Sequence, residues 1–451
     1  MNTRRHPAAA GETPAAGAAE RDLIATLRAR VRQRLAEHAE HTGLVPAGRR
    51  RQLVADHVAD ALDTQARTAL ADGRAPLDAA AEARVAQAVV DALTGLGRLQ
   101  RLLEDTSVEN IDANGCDRVF VQHTDGRVAQ VGEVADSDAE LVAMIRGYAA
   151  EAGMAGGGEG EERRFDRGVP RLSLRLPDGS RLFAVMSVSR RPLVSIRRHP
   201  LKDFTLDDLA AGGTMTAPVA AILAAVVRAR LNVVISGGAN TGKTQTLRAL
   251  AKAIPPAERL VTVEDAFELD LDADERAHPN VAALQAREPN IEGAGAVDMA
   301  ELVRWGLRMN PHRVIVGEAR GHEVIPLLNA MSQGNDGSLA TIHASSSRQA
   351  FTRLATYAVQ APERLSFEAS AMLIGGAVDV VVQLAFSADG RRVVSSMREV
   401  TGADGREVIS NEVYQPGPDL RAVPATPIRA GTLDRLVAAG LDPRLLAGQG
   451  W

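Results

Sequence analysis

The feature that most constrains this chain is a glycine-rich segment, GGANTGKT, at positions 237–244. It matches the pattern G-x-x-x-x-G-K-[ST]; the apolar run NVVIS ends just before it, and a Leu- and Ala-rich stretch follows. A strand, a glycine loop and a helix in this order form a cradle whose backbone N–H groups and positive helix end bind phosphates. The segment therefore predicts a P-loop domain that binds a nucleoside triphosphate.

Two side chains of this loop have specific expected tasks. Lys243 should reach the β- and γ-phosphates, and the Thr244 hydroxyl should be a ligand of the Mg²⁺ that accompanies ATP. The predicted cofactors are accordingly ATP and Mg²⁺. The predicted nucleotide-binding residues are Gly237, Gly238, Ala239, Asn240, Thr241, Gly242, Lys243, Thr244 and Gln245.

Three further apolar runs end in residues that can act on a bound phosphate. RVIVG is followed by Glu318, RLVTV by Glu264, and SLATI by His343. Because the carboxyl ends of parallel strands share one edge of a sheet, we expect these residues beside the P-loop. A carboxylate there can orient the attacking water or help to position Mg²⁺, and a histidine can sense or contact the γ-phosphate.

Each of these residues taken alone has a plainer interpretation. A carboxylate after a strand is commonly a helix cap or a solvated group, and a lone histidine after a strand is commonly structural. The P-loop upstream favours the catalytic interpretation for Glu318.

The hydrophobic patterning predicts an α/β fold: a C-terminal RecA-like P-loop domain, preceded by a small α+β domain and an N-terminal helical bundle. Leucine and valine recur every four residues near the start of the chain, as in a helix, whereas RLSLRLPDGSRLFAV alternates as a hairpin. Later, buried runs alternate with helices, as in a parallel sheet. The predicted segments are a disordered tail (1–20), a helical bundle (21–104), an α+β domain (105–200), a linker (201–216), a RecA-like ATPase domain (217–427) and a C-terminal tail (428–451).

The composition narrows the classes of partner. The net charge is −5 and aromatic residues make up 3 %, so no direct nucleic-acid partner is expected. The single cysteine, Cys116, cannot form an intrachain disulfide, which fits a reducing cytoplasmic setting. We find neither the apolar segment of a signal peptide nor a run of the ~18 apolar residues that a spanning helix needs. We therefore expect any link to a membrane to go through a partner.

The four motifs in this order resemble the signature of the ATPases of type II, type IV and Tad secretion and pilus-assembly systems. That signature is a P-loop, an Asp box (VTVEDAFEL here), a Walker B strand (VIVGEARG) and a His box (GSLATIHA). The chain is most similar to the CpaF-like Tad pilus ATPases, through stretches such as SVENIDANGCDRVFVQ, VSIRRHP and PNIEGAGAVDMAELVRWGLRMNPHRVIVGE. The resemblance spans roughly residues 95–412.

The resemblance implies roles for particular residues. Glu264 is the Asp-box glutamate at the catalytic edge, Glu318 the Walker B glutamate and catalytic base, and His343 the His-box histidine. Family members form rings of six, in which arginines of the smaller domain complete the phosphate site. The residues that fit the positions of those arginines are Arg175, Arg181, Arg197 and Arg198. The implied partners are other copies of the chain and inner-membrane platform proteins, with the ATPase peripheral at the cytoplasmic face of the membrane.

Three alternatives to a Tad pilus motor stay open from the sequence. A type IV secretion or conjugation ATPase shares the same core, although the long helical N-terminal region and the IEGAGAV segment favour the CpaF-like branch. A nucleic-acid motor is disfavoured by the acidic charge and the scarcity of aromatic residues. A scaffold that binds ATP without turnover is disfavoured by the intact lysine, threonine and both glutamates.

Overall fold

The computed structural model describes residues 14–42, 47–155, 165–176, 178–198, 204–287, 289 and 294–447. The chain divides into two compact units, Met1–Pro200 and Leu201–Trp451. No helix of the described residues is long and apolar enough to cross a membrane.

The first unit begins with three helices that pack their apolar stripes together. They are α1 (Pro14–Thr42), α2 (Ala47–Ala71) and α3 (Ala79–Thr94). The residues fully buried between them include Val31, Val54 and Val89. Part of the predicted disordered tail is helical, because α1 begins at Pro14. Proline is favoured in the first turn of a helix and alanine has the highest helix propensity, so 14–20 is helical, and 1–13 lie outside the described residues.

The rest of the first unit is an antiparallel sheet covered by two helices. The strands are β1 (Val108–Asn114), β2 (Val119–His123), β3 (Val128–Val131), β4 (Arg171–Arg175), β5 (Arg181–Val185) and β6 (Leu193–Arg197), in the order β3-β2-β1-β6-β5-β4. The covering helices are α4 (Leu99–Glu104) and α5 (Asp138–Ala155), and both pack into one core with the sheet. The predicted hairpin is confirmed, since Leu174 pairs with Leu182 across β4 and β5.

The second unit is built on a nine-stranded sheet. Its strands are β7 (Val233–Gly237), β8 (Leu260–Glu264), β9 (Val281–Gln285), β10 (Arg313–Ala319), β11 (Leu339–His343), β12 (Val380–Phe386), β13 (Arg392–Asp404), β14 (Glu407–Pro416) and β15 (Ala422–Pro424). The order is β15-β14-β13-β12-β7-β11-β10-β8-β9. The strands from β12 to β9 are parallel, and β13 to β15 extend the sheet in antiparallel fashion.

Helices cover both faces of the parallel strands, as the near-continuous apolar runs require. They are α6 (Leu206–Ala211), α7 (Ala217–Arg228), α8 (Lys243–Ala251), α9 (Met299–Gly306), α10 (Val324–Ser332), α11 (Ser347–Gln360), α12 (Phe367–Ala377) and α13 (Ala430–Ala438). Along β7, Val233 and Ile235 enter the core that holds α6, α7, α8 and α13, whereas Val234 enters the core on the opposite face. The α/β class with a RecA-like P-loop domain is thereby confirmed.

Two segments that the sequence analysis set outside the ATPase domain contribute to its core. The predicted linker contains α6, which begins with a capping box between Thr205 and Asp208 and buries Leu206. The predicted C-terminal tail contains α13, whose Leu436 is buried in the same core. The two helices have only six and nine residues, so their apolar periodicity spans too few turns to indicate which domain they pack on. Residues 201–203 and 448–451 lie outside the described part.

A buried ion pair fixes the start of β10, the strand that delivers Glu318. Arg313 is fully buried and binds Glu258 with two hydrogen bonds, from Nε at 2.8 Å and from Nη2 at 2.7 Å. Its Nη1 donates to the carbonyl of Val227 at 2.8 Å, and Arg230 contacts the same carboxylate at 2.7 Å. The bidentate geometry compensates for the cost of taking the guanidinium out of water.

Replacing Glu258 with alanine should destabilise the second unit by about 3–5 kcal/mol, because it leaves the buried charge of Arg313 without its carboxylate. Urea-induced unfolding of the full chain measures the change. The matched control is Glu407→Ala, which removes an exposed ion pair with Arg348 and should cost less than about 1 kcal/mol. Equal midpoint shifts for the two variants would contradict a stabilising role for the buried pair.

Candidate active site

Strand order brings four of the predicted catalytic elements to one sheet edge. The strands β7, β11, β10 and β8 are consecutive neighbours, and their carboxyl ends carry the P-loop, His343, Glu318 and Glu264 respectively. His343 lies directly opposite Gly237 in the parallel ladder, so it sits at the first residue of the P-loop. The expectation that these residues share an edge is therefore met.

The conformation of the P-loop depends on two residues with positive φ and on hydrogen bonds from its own lysine. Asn240 and Gly242 have φ values of 61° and 93°, the left-handed region that turns the chain back on itself. Lys243 Nζ donates to the carbonyls of Gly237 at 3.2 Å and Gly238 at 2.7 Å. The lysine is thus folded against its own loop, close to where phosphates bind in such cradles.

A continuous chain of contacts runs from Lys243 to Glu318 through the histidine. Lys243 Nζ lies 3.3 Å from His343 Nδ1, and His343 Nε2 lies 2.9 Å from Glu318 Oε1. A lysine ammonium group only donates, so Nδ1 accepts and the ring proton resides on Nε2, facing the carboxylate. Burial, followed by the positive charge of Lys243, lowers the pKa of His343, in agreement with a neutral ring.

The second oxygen of Glu318 is held by an arginine. Arg320 Nη2 donates to Glu318 Oε2 at 2.9 Å, and Arg320 Nη1 donates to Asp265 Oδ2 at 3.1 Å. Burial raises the pKa of Glu318, but the hydrogen bond from Arg320 and the nearby positive charges of Arg320, His343 and Lys243 outweigh it and hold the pKa below its usual value. Glu318 is therefore an ionised carboxylate with both oxygens engaged.

Glu264 has the opposite electrostatic environment. Its Oε1 accepts hydrogen bonds from the backbone N–H groups of Glu268 at 2.8 Å and Leu269 at 2.9 Å. Burial nevertheless raises the pKa of Glu264 to about 7. Gly317, next to the catalytic candidate on β10, leaves room for this side chain, since a Cβ there would lie 3.0 Å from Glu264 Cγ.

The oxygen atoms near the loop suit a hard cation. The Thr244 hydroxyl lies 3.5 Å from Glu268 Oε2, which places a carboxylate beside the residue expected to bind Mg²⁺. Hydroxyl and carboxylate oxygens are the donors that Mg²⁺ prefers, usually with substrate phosphates and water completing the shell. Within the described residues, no group of three His, Cys, Asp or Glu side chains is placed to hold a metal by itself.

The four predicted arginines belong to the first unit, whereas the other predicted site residues belong to the second. Arg181 lies between Arg175 and Arg197 in cross-strand register, so these three share one face of the sheet. Arg198 instead donates to the backbone carbonyls of Asp105 and, at 3.1 Å, Val108. Its guanidinium thus holds the segment that leads into β1, which is a structural role.

Two arginines near the loop, Arg320 and Arg392, were not predicted from the sequence. Arg320 stands two positions after Glu318, a spacing that puts side chains of a strand on the same face, so a signal was present. Arg392 comes from β13, and its Nε donates to the carbonyl of Asn240 at 2.7 Å. No local pattern could reveal this contact, because 152 residues separate the two partners.

Two of the solved structures to which this chain is similar are of ATPases. The VirB11 ATPase of the Brucella suis type IV secretion system is 26 % identical, covers 67 % of this chain and 93 % of its own, and has a TM-score of 0.36. The Legionella pneumophila ATPase DotB is 21 % identical over 66 % of this chain and 79 % of its own, with a TM-score of 0.45.

Sequence comparisons give the family. The conjugal transfer protein TrbB of Rhizobium radiobacter is 31 % identical over 64 % of this chain and 83 % of its own length. The type IV secretion system protein PtlH of Bordetella pertussis is 31 % identical over 47 % of this chain and 69 % of its own. The model of the type II/IV secretion system protein family matches residues 92–390. The chain therefore belongs to the type II/IV secretion system protein family, and its second unit has the P-loop fold of an ATPase.

Proposed function

We propose that this chain is an ATP-hydrolysing motor of a secretion or pilus-assembly machine. The observation that carries the proposal is the chain of contacts Lys243–His343–Glu318 at the mouth of the P-loop. It joins the side chain expected to bind the γ-phosphate to a carboxylate suited to activate water. An idle nucleotide-binding scaffold would need no such connection.

Phosphate binding would rearrange the first link of this chain. Lys243 now donates to two loop carbonyls and to His343, and a phosphate oxygen would be a stronger, charged acceptor for the same protons. The loop N–H groups and the N-terminus of α8 would hold the remaining phosphate oxygens. When the lysine turns to the phosphate, His343 loses its donor, so the histidine senses occupancy of the γ-phosphate position.

Glu318 would then act as the general base. A carboxylate accepts a proton from water only through an oxygen that is free to do so, and Arg320 and His343 each hold one oxygen. Arg320 has Asp265 as a second partner, so it can stay bound at this edge after releasing Glu318. Thr244 and Glu268 would hold Mg²⁺, whose charge would offset that of the phosphates.

For the machine itself, we propose a Tad-type pilus, with the motor working as a hexameric ring against inner-membrane platform proteins at the cytoplasmic face. The CpaF-like stretches of the sequence support this assignment. The second candidate is a type IV secretion or conjugation ATPase, which the names of the relatives TrbB and PtlH favour. Deleting the gene in its source organism, then counting surface pili and measuring conjugative transfer, separates the two. If the deletion changes neither the number of surface pili nor conjugative transfer, both assignments are contradicted.

Lys243→Ala should abolish ATP hydrolysis and weaken ATP binding, because the phosphates lose their main charged partner. A loss of about 2–5 kcal/mol corresponds to at least about 30-fold in affinity. Calorimetric titration and phosphate release measure the two effects. The matched control is Lys252→Ala, which removes a lysine at the opposite end of the same helix and should change neither. Undiminished hydrolysis by the Lys243 variant would overturn the site.

Glu318→Gln should lower kcat by about 10²–10⁴-fold while the affinity for ATP changes by less than about threefold, because a general base acts on the water and not on the bound phosphates. Single-turnover hydrolysis with a parallel binding titration measures both. Glu407→Gln, at an exposed position on β14, serves as the control with normal kcat. A fall in affinity that accounts for the whole loss would assign Glu318 to substrate binding instead.

Glu264→Gln should stabilise the nucleotide-free protein at alkaline pH. The pKa of Glu264 is raised from 4.5 to about 7, so its stabilising contribution is full below pH 4.5 and is lost as the pH rises through 7. Neutral glutamine keeps an oxygen for the two backbone donors. The difference in unfolding free energy between variant and wild type should therefore grow by about 3 kcal/mol from pH 4.5 to pH 8. If the difference in unfolding free energy between the two proteins stays constant with pH, the raised pKa of Glu264 is contradicted.

A further inference from the structure

An exposed aromatic ring stands at the rim of the P-loop with no task in the chemistry above. Phe386 ends β12 and is 43 % exposed. Because β12 runs parallel to β7 with Leu384 opposite Gly237, Phe386 extends two residues beyond the point where the P-loop begins. It therefore projects past the sheet edge at which nucleotides bind in folds of this kind.

The register of the β12–β13 hairpin fixes the direction of this ring. Phe386 pairs directly with Arg392, so both side chains leave the same face of the hairpin. Arg392 reaches the P-loop, where its Nε donates to the Asn240 carbonyl and its Cδ lies 3.5 Å from the position of a Cβ on Gly242. The face that carries the phenylalanine is consequently the face turned to the loop.

The hairpin that carries the two residues is held in place. Ser387 N donates to the carbonyl of Arg391 at 2.8 Å, and Gly390 takes the left-handed conformation that the turn needs, with φ of 76°. Arg421 binds Asp389 in the same turn at 3.1 Å and joins the turn to the segment between β14 and β15. Because the hairpin backbone is held in place, Phe386 loses little conformational entropy when a ligand stacks on its ring.

We propose that Phe386 is the stacking surface for the purine base of the nucleotide, and that Arg392 fixes the hairpin against the loop to hold it there. The inference rests on the proposed function, in which the P-loop holds the phosphates. The base must leave the cradle on its open side, and a phenyl ring offers any purine an apolar π-face. Phe386 lies at that rim, on the same second unit as the loop.

A second exposed phenylalanine provides the contrast. Phe367 on α12 is 44 % exposed, almost the same as Phe386, but the guanidinium of Arg406 lies 5.3 Å above its ring. Its ring face is thus already covered by a cation–π contact. Phe367→Ala removes an equally exposed phenyl group away from the P-loop and is the matched control for Phe386→Ala.

The experiment compares two ligands that share phosphates and differ in the base. Dissociation constants of Mg²⁺–ATP and of Mg²⁺–tripolyphosphate are measured by calorimetry for the full chain and its variants. Phe386→Ala should weaken ATP by about 5- to 150-fold, the range of base–aromatic stacking, and leave tripolyphosphate unchanged. Phe386→Tyr, which keeps the π-face, should bind ATP within about threefold of wild type, and Phe367→Ala should bind both ligands normally.

The other possible results contradict either the stacking assignment or the proposed function. Unchanged ATP affinity in Phe386→Ala would overturn the stacking assignment and leave the exposed ring for a partner protein. An equal loss for both ligands would also overturn it, because the ring would then act through the shape of the loop. Failure of the wild-type chain to bind either ligand, or undiminished binding of both by Lys243→Ala, would contradict the proposed function rather than the subsite.

Discussion

The contact between Lys243 and His343 exists because β7 and β11 are paired in one particular register. His343 lies opposite Gly237, so the histidine ring meets the lysine at the point where the loop leaves the strand. A slip of one residue along β11 would turn the ring to the other face of the sheet. The link to Glu318 depends in turn on β10 lying next to β11. Sheet pairing thus determines which groups can exchange a proton at this edge.

The same edge holds two glutamates whose pKa values are shifted in opposite directions. Glu318 is surrounded by Arg320, His343 and Lys243, which keep it ionised, whereas Glu264 is buried and has only backbone donors on its Oε1. Environments that separate the pKa values of two carboxylates commonly separate their roles. The ionised group can accept a proton from water, while the group with a pKa of about 7 responds to any cation or phosphate that enters. Glu264 on β8 and Glu318 on β10 can therefore serve different functions at the same sheet edge.

The sequence was sufficient for features governed by local pattern. The P-loop has a fixed spacing, and the strands that end at Glu264, Glu318 and His343 are apolar runs of ordinary length, so their shared edge followed from the fold class. It was insufficient where distant segments meet. The short helices α6 and α13 bury only a few residues each, and nothing in the sequence near Arg392 indicates Asn240 as its partner. Which arginines approach a phosphate depends on placement that periodicity does not encode.

The strand on the other side of the P-loop makes the loop part of a larger polar network. Gln383 on β12 is buried, accepts from the Ser236 hydroxyl at 2.5 Å and donates to the carbonyl of Ala344 at 3.2 Å. Gln383 therefore joins the strand before the loop to the residue that follows His343. The next residues along β12 lead to the hairpin whose Arg392 binds the loop apex. Because buried polar groups are costly to leave without partners, a shift in the loop must either break these bonds or move the hairpin with it. The antiparallel extension is thus joined to the P-loop by hydrogen bonds from Gln383 and Arg392.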